Sequence, residues 1–140
     1  MRASERPRST ASKFRLLYLG NDLKFIAALR HVLTEPDYRL VTCSDREGAV
    51  LFLKSDIHYD LLLIDLARRG KEGIEVARIA QSLGHRKEMP IMMVAATKLN
   101  SSMKTLARKA GVKKFVMKTP DVGVVSEAIR QLVETPPREN

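Results

Sequence analysis

The sequence predicts an α/β fold, a doubly wound five-stranded parallel sheet with helices on both faces, and three observations predict it. Strand-like and helix-like segments alternate five times in strict order. The third and fourth strand-like segments, "DLLLID" and "PIMMVAA", are apolar almost throughout, as strands covered on both faces are. A chain of 140 residues suits one domain around one core.

Each element has its own justification. "FRLLYL" (Phe14–Leu19) reads as a strand broken by "GND", and Leu23 to Leu33 carries apolar residues at 25, 26, 29, 32 and 33, a helical stripe. "YRLVTC" is a second strand, and "DREGAVLFLKS" a helix capped by Ser44 or Asp45. "DLLLID" ends on Asp65, a loop with Arg68, Arg69 and Lys71 follows, and "IEVARIAQSL" is helical again. "PIMMVAA" is entered through Pro90, and "SSMKTLARKAG" is a capped helix with Gly111 just past its end, at C′. "KKFVMK" and "DVGVVSEAIRQLVE" supply the fifth strand and fifth helix. Residues 1–13 read as a basic tail, 14–134 as the domain, and 135–140, "TPPREN", as a tail or linker.

Composition narrows the function. A hydrophobic fraction of 44% and a charged fraction of 29% fit a soluble globular chain, and no apolar run nears a membrane span. The N-terminus has no apolar core behind its basic residues, so it is not a secretory signal. The single Cys43 excludes an internal disulfide and fits a reducing cytoplasm, with inert packing expected for it in its strand. The net charge of +9 is uneven: +3 in residues 1–13 and +7 in residues 98–118, where Lys98, Lys104, Arg108, Lys109, Lys113, Lys114 and Lys118 meet no acid. Such a region favours acidic partners or nucleic acid, or is a solvated face. His31, His58 and His85 are scattered with no ligand spacing, and the strand methionines Met89, Met92, Met93 and Met117 suit core filling.

In a doubly wound sheet, ligands sit beyond the carboxyl ends of the strands, which singles out Gly20, Asn21, Asp22, Asp65, Ala95, Ala96 and Lys118. With Asp65 ending the third strand, Glu72–Gly73 opening the third helix, "VTCSDREGAVLFL" and "AGVKKFVMK" in register, residues 14–134 resemble the receiver domain of bacterial response regulators, a CheY-like, flavodoxin-like fold. The resemblance implies a phosphate-accepting aspartate at Asp65 and a charge-neutralising lysine at Lys118. It implies a divalent cation, Mg²⁺, held by two acids after the first strand, by the reactive aspartate and by a backbone carbonyl, here that of Ala67.

This chain departs from that set. The acidic pair aligns with Gly20 and Asn21. Asp22 stands one position late, where its side chain is expected to turn away, and Asn21 offers only a neutral oxygen. The position of the hydroxyl that senses the phosphoryl group aligns with Ala95, which cannot hydrogen-bond it, and Thr97 lies two residues on. Phe115 matches the aromatic that follows that switch and equally suits a half-buried strand residue. Arg68, Arg69 and Lys71 would attract anions and repel a divalent metal. A degenerate, weakly Mg²⁺-binding site is therefore expected, with no enzymatic activity. The expected output is protein–protein interaction through the fourth helix, fifth strand and fifth helix. Lys104, Arg108, Lys109, Lys113, Lys114 and Phe115 would there meet an acidic partner. Two alternatives stand beside this: a working phosphoacceptor modified at Asp65 by a histidine kinase, and a basic nucleic-acid-binding module, which has no recognition helix or aromatic surface to support it.

Overall fold

A computed structural model of the chain describes residues 13–66 and 70–134. The terminal tails, and the loop positions Ala67, Arg68 and Arg69, lie outside the described residues. The order is β1 (Phe14–Leu19), α1 (Leu23–Val32), β2 (Tyr38–Cys43), α2 (Arg46–Lys54), β3 (Leu61–Asp65), α3 (Gly70–Ser82), a 3₁₀ turn (Gly84–Arg86), β4 (Ile91–Ala95), α4 (Ser101–Lys109), β5 (Val112–Met117) and α5 (Gly123–Glu134). The strands lie in the order β2-β1-β3-β4-β5, each pair parallel. The strand order reverses between β1 and β3, which opens the crevice of such a sheet beside their carboxyl ends.

The strand period of two divides the core into two layers. Leu17, Leu19, Leu62, Ile64, Ile91 and Met93 face α2, α3 and α4 through Leu53, Val76, Ala77 and Ala107. Leu16, Tyr18, Leu61, Leu63, Met92 and Val94 face α1 and α5 through Phe25, Leu29, Val125 and Ile129. Five central leucines, Leu16, Leu17, Leu61, Leu62 and Leu63, are fully buried. At roughly 2 kcal/mol each they anchor the sheet's centre and hold its carboxyl edge in place.

The helix starts are set by short polar side chains. Asp22 Oδ1 accepts from the Phe25 amide at 3.1 Å, Asp45 Oδ1 from Gly48 at 2.8 Å and Asn100 Oδ1 from Met103 at 2.8 Å. Gly111 follows α4 at φ +103°, packed against Gln81, so no side chain fits there. Three details differ from the sequence reading. Helix α3 begins at Gly70, ahead of the apolar run from Ile74, with Glu72 in its first turn as the resemblance placed it. Met89, Met92 and Met93 are buried, but Met117 is 48% exposed because it ends the edge strand β5. The 3₁₀ turn was unforeseen, since "GHR" carries no apolar period.

That turn places a buried cation. The Arg86 side chain donates from Nε to Leu53 O at 2.9 Å and from Nη2 to Phe52 O at 3.1 Å and Ser55 O at 3.0 Å, with its guanidinium 5.1 Å from the Tyr59 ring centre. It adds a charged donor to carbonyls at the carboxyl end of α2, where Phe52 O also accepts from the Ser55 amide and hydroxyl. Replacing Arg86 by alanine should lower the unfolding free energy by about 3 kcal/mol, read as a fall in the urea midpoint, because three half-buried carbonyls lose a charged donor.

Candidate functional site

The crevice beyond β1, β3 and β5 is built around one carboxylate. Asp65, the last residue of β3, shares the face of Leu61 and Leu63, and its side chain is 1% exposed. Its Oδ2 accepts two hydrogen bonds, from Lys118 Nζ at 2.8 Å and from the Tyr18 hydroxyl at 2.6 Å. Its Oδ1 is buried with no hydrogen-bond partner among the described residues. Lys118 is seated by its own amide, which donates to Ala95 O at 2.7 Å, and its Nζ lies 5.1 Å from the Phe25 ring centre.

Asp22 corrects the sequence reading. The one-residue shift was expected to turn it away, yet its Oδ2 accepts from Lys118 Nζ at 2.7 Å. Strand alternation does not govern it, because Asp22 lies past β1 as the N-cap of α1, with φ −82° and ψ 95°. One oxygen caps the helix and the other meets the lysine. Lys118 thus bridges two carboxylates, and the three groups sum to one negative charge.

Tyr18 is the site residue that sequence reasoning missed, since it reads as one more bulky residue of "FRLLYL". The signal was two residues away. A Cβ on Gly20 would lie 2.6 Å from Tyr18 Oη, 2.7 Å from Tyr18 Cζ and 2.8 Å from Asp65 Cβ. Gly20 sits where an acid would align, and its missing side chain is the passage through which the phenol reaches Asp65. Burial, then the hydrogen bond to Asp65, push the Tyr18 hydroxyl well above the usual phenol range, so it is a proton donor here.

The remaining electrostatics follow from the bridge. The hydrogen bond from Lys118, then that from the Phe25 amide, hold Asp22 below its ordinary 3.8. Its contribution to stability is therefore present above that value and lost as pH falls through the lower folded one. Burial works against the Lys118 ammonium, but its hydrogen bonds to Asp22 and Asp65 outweigh burial and raise it above 10.5. That contribution is present below 10.5 and lost only as pH rises through the raised value. Cys43, buried behind β1 and donating to Tyr18 O at 3.4 Å, is pushed up to about 12 by burial, which makes its thiol inert.

Other expected residues stay outside this cluster. Asn21 and Thr97 are exposed, and Lys71 lies exposed in the first turn of α3. Ala95 is buried at the end of β4. Phe115 is half-buried against the core, under the Arg108 guanidinium at 5.3 Å, and lines a cavity of about 90 Å³ with Met93, Ala95, Lys104 and Met117. The carbonyl of Ala67 and the side chains of Arg68 and Arg69 are outside the described residues.

The resident groups do not fit the divalent cation that the fold implies. Gly20 offers no ligand, both Asp22 oxygens are engaged, and Asp65 Oδ2 is taken by two donors. Among the described residues, no three His, Cys, Asp or Glu side chains converge as a metal would need.

With this geometry in hand, the family of response regulator receiver domains matches residues 19–130, and the chain belongs to it. No curated protein matches it in sequence. Among solved structures, the phosphorylated cyanobacterial phytochrome response regulator RcpA is 18% identical with a TM-score of 0.74, covering 89% of this chain and 96% of that one. A response regulator from Burkholderia multivorans is 25% identical with a TM-score of 0.70, over 90% and 98%. The receiver domain of a sensor histidine kinase from Pseudomonas aeruginosa, solved with magnesium coordinated in its active-site cleft, is 19% identical with a TM-score of 0.70, over 89% and 100%. The chain is thus a receiver domain of the two-component type.

The bridge yields a direct test. Lys118→Met should cost about 3 kcal/mol in chemical denaturation at neutral pH, since it leaves a buried carboxylate without its cation. Adding Asp65→Asn should recover part of that loss, a coupling that independent sites do not show.

Proposed function

We propose that this receiver domain acts by docking a protein partner on α4, β5 and α5, with Asp65 serving structure rather than accepting phosphate, and with no catalytic activity of its own. The observation that carries this reading is the closure of Asp65. Its side chain is 1% exposed, and its Oδ2 already accepts from Tyr18 and Lys118. In-line attack on a phosphoryl group needs an accessible carboxylate oxygen and a positioned divalent cation; the Asp65 side chain is buried, and no metal-binding cluster forms among the described residues. Ala95 adds no hydroxyl to sense such a group.

The docking face is supported by charge. Arg108 and Lys109 are exposed on α4, Lys113 is exposed on β5, and Lys104 and Lys114 are half-exposed beside them. Leu106, Met117 and Val124 expose 45, 48 and 59% of their surface among these cations. Cations around an apolar centre suit an acidic surface with apolar contacts of its own. Pairing this face with a second copy would set cation against cation, so the occupant is a different, acidic chain.

A second reading keeps Asp65 as a phosphoacceptor for a histidine kinase, and the 2.8 Å contact from Lys118 is the observation in its favour. Amide spectra near Asp65, recorded with Mg²⁺ and beryllofluoride, separate the two. Unchanged spectra support the docking reading, and saturable metal-dependent shifts would replace it with the second. In the cell, Asp65→Asn should leave signalling intact, whereas Lys109→Glu with Lys113→Glu should weaken partner binding by roughly a hundredfold, since like charges then face each other.

A further inference from the structure

We infer that Tyr18 closes the Asp65 site from within: its phenol, admitted by the missing side chain of Gly20, takes both the space and the carboxylate oxygen that a hard cation would need. The inference rests on the reading of Asp65 as a closed site and adds the part of the closure that Tyr18 supplies beside Lys118.

Three observations converge on it. The Tyr18 hydroxyl donates to Asp65 Oδ2 at 2.6 Å, so the contact is a short, charge-assisted hydrogen bond. The phenol end lies 2.6 to 2.7 Å from where a Cβ of residue 20 would stand, closer than real side chains approach, so ring and side chain exclude each other. Among the described residues Asp65 Oδ1 stays buried and unpartnered, although a buried carboxylate oxygen ordinarily finds a donor or a cation. The second carboxylate of the cluster, Asp22, is joined to Asp65 through Lys118 Nζ.

The packing of the ring is consistent with a plug. Tyr18 is fully buried, and its ring lies 5.9 Å from that of Phe25, tilted by 42°. Phe25 in turn lies beneath Lys118 Nζ. The phenol is thus held by apolar contacts on one side and by the carboxylate on the other.

Removal of the plug should uncover the site. The experiment titrates Mn²⁺ into the full chain by electron paramagnetic resonance for wild type, Tyr18→Phe, Tyr18→Leu, and each Tyr18 variant combined with Asp65→Asn. Tyr18→Phe keeps the ring and its packing and removes only the hydroxyl, so it reports even where Tyr18→Leu does not fold. The expected affinity order is wild type, then Tyr18→Phe, then Tyr18→Leu, with the last at least about tenfold above wild type, the effect of freeing one charge-assisted hydrogen bond. Asp65→Asn should return both variants to the wild-type level. Folded Tyr18 variants that bind no better than wild type, or whose gain survives Asp65→Asn, overturn the role of Tyr18 and leave the docking reading standing. Tight, Asp65-dependent binding by the wild type overturns the docking reading itself.

Discussion

The ammonium of Lys118 between Asp22 and Asp65 is the contact on which the carboxyl edge of the sheet depends. It ties the end of β5 to the end of β3 and to the start of α1, three segments far apart in sequence. Without it two carboxylates would face one another at the edge of a buried region, and β3 would end on an uncompensated charge. With it, Asp22 caps α1 and neutralises the lysine at once. Asp22 thus ties the start of α1, with Phe25 under the lysine, to the residue that follows β5.

That arrangement gives the crevice a character of its own within its family. The fold supplies a strand-end aspartate and a lysine opposite it. The side chains beside them turn these two charges toward each other and toward a phenol. A ligand that sought Asp65 Oδ2 or Asp22 must first displace contacts already made in a weakly solvated place, which lowers its net gain. On the basic side of α4 and β5, by contrast, cations meet solvent rather than carboxylates.

Much of this was legible in the sequence, and the exceptions have physical causes. The five strand–helix pairs, the cap at Asp45 and the glycine end of α4 were all readable, because periodicity and capping are local. Asp65 and Lys118 were readable as strand ends, and the structure brings them together. Asp22 was misread because the rule of alternation was carried past the last residue of β1, where the backbone already turns into a cap. Tyr18 was missed because its partners, Gly20 apart, are distant in sequence, and a tyrosine in an apolar strand looks like core until a carboxylate is found at its hydroxyl. The 3₁₀ turn at Gly84–Arg86 was invisible for a similar reason: what holds it is a set of α2 carbonyls some thirty residues away.

The lysines of β5 have one more consequence. An outermost strand exposes a row of unpaired amides and carbonyls, a template onto which another chain can zip. Here that row is bordered by Lys113 and Lys114, so an approaching copy must bury ammonium groups against ammonium groups before it gains a ladder of hydrogen bonds. Lys113 and Lys114 therefore act as gatekeepers, guarding this edge of the parallel sheet against sheet extension and fibrillar assembly.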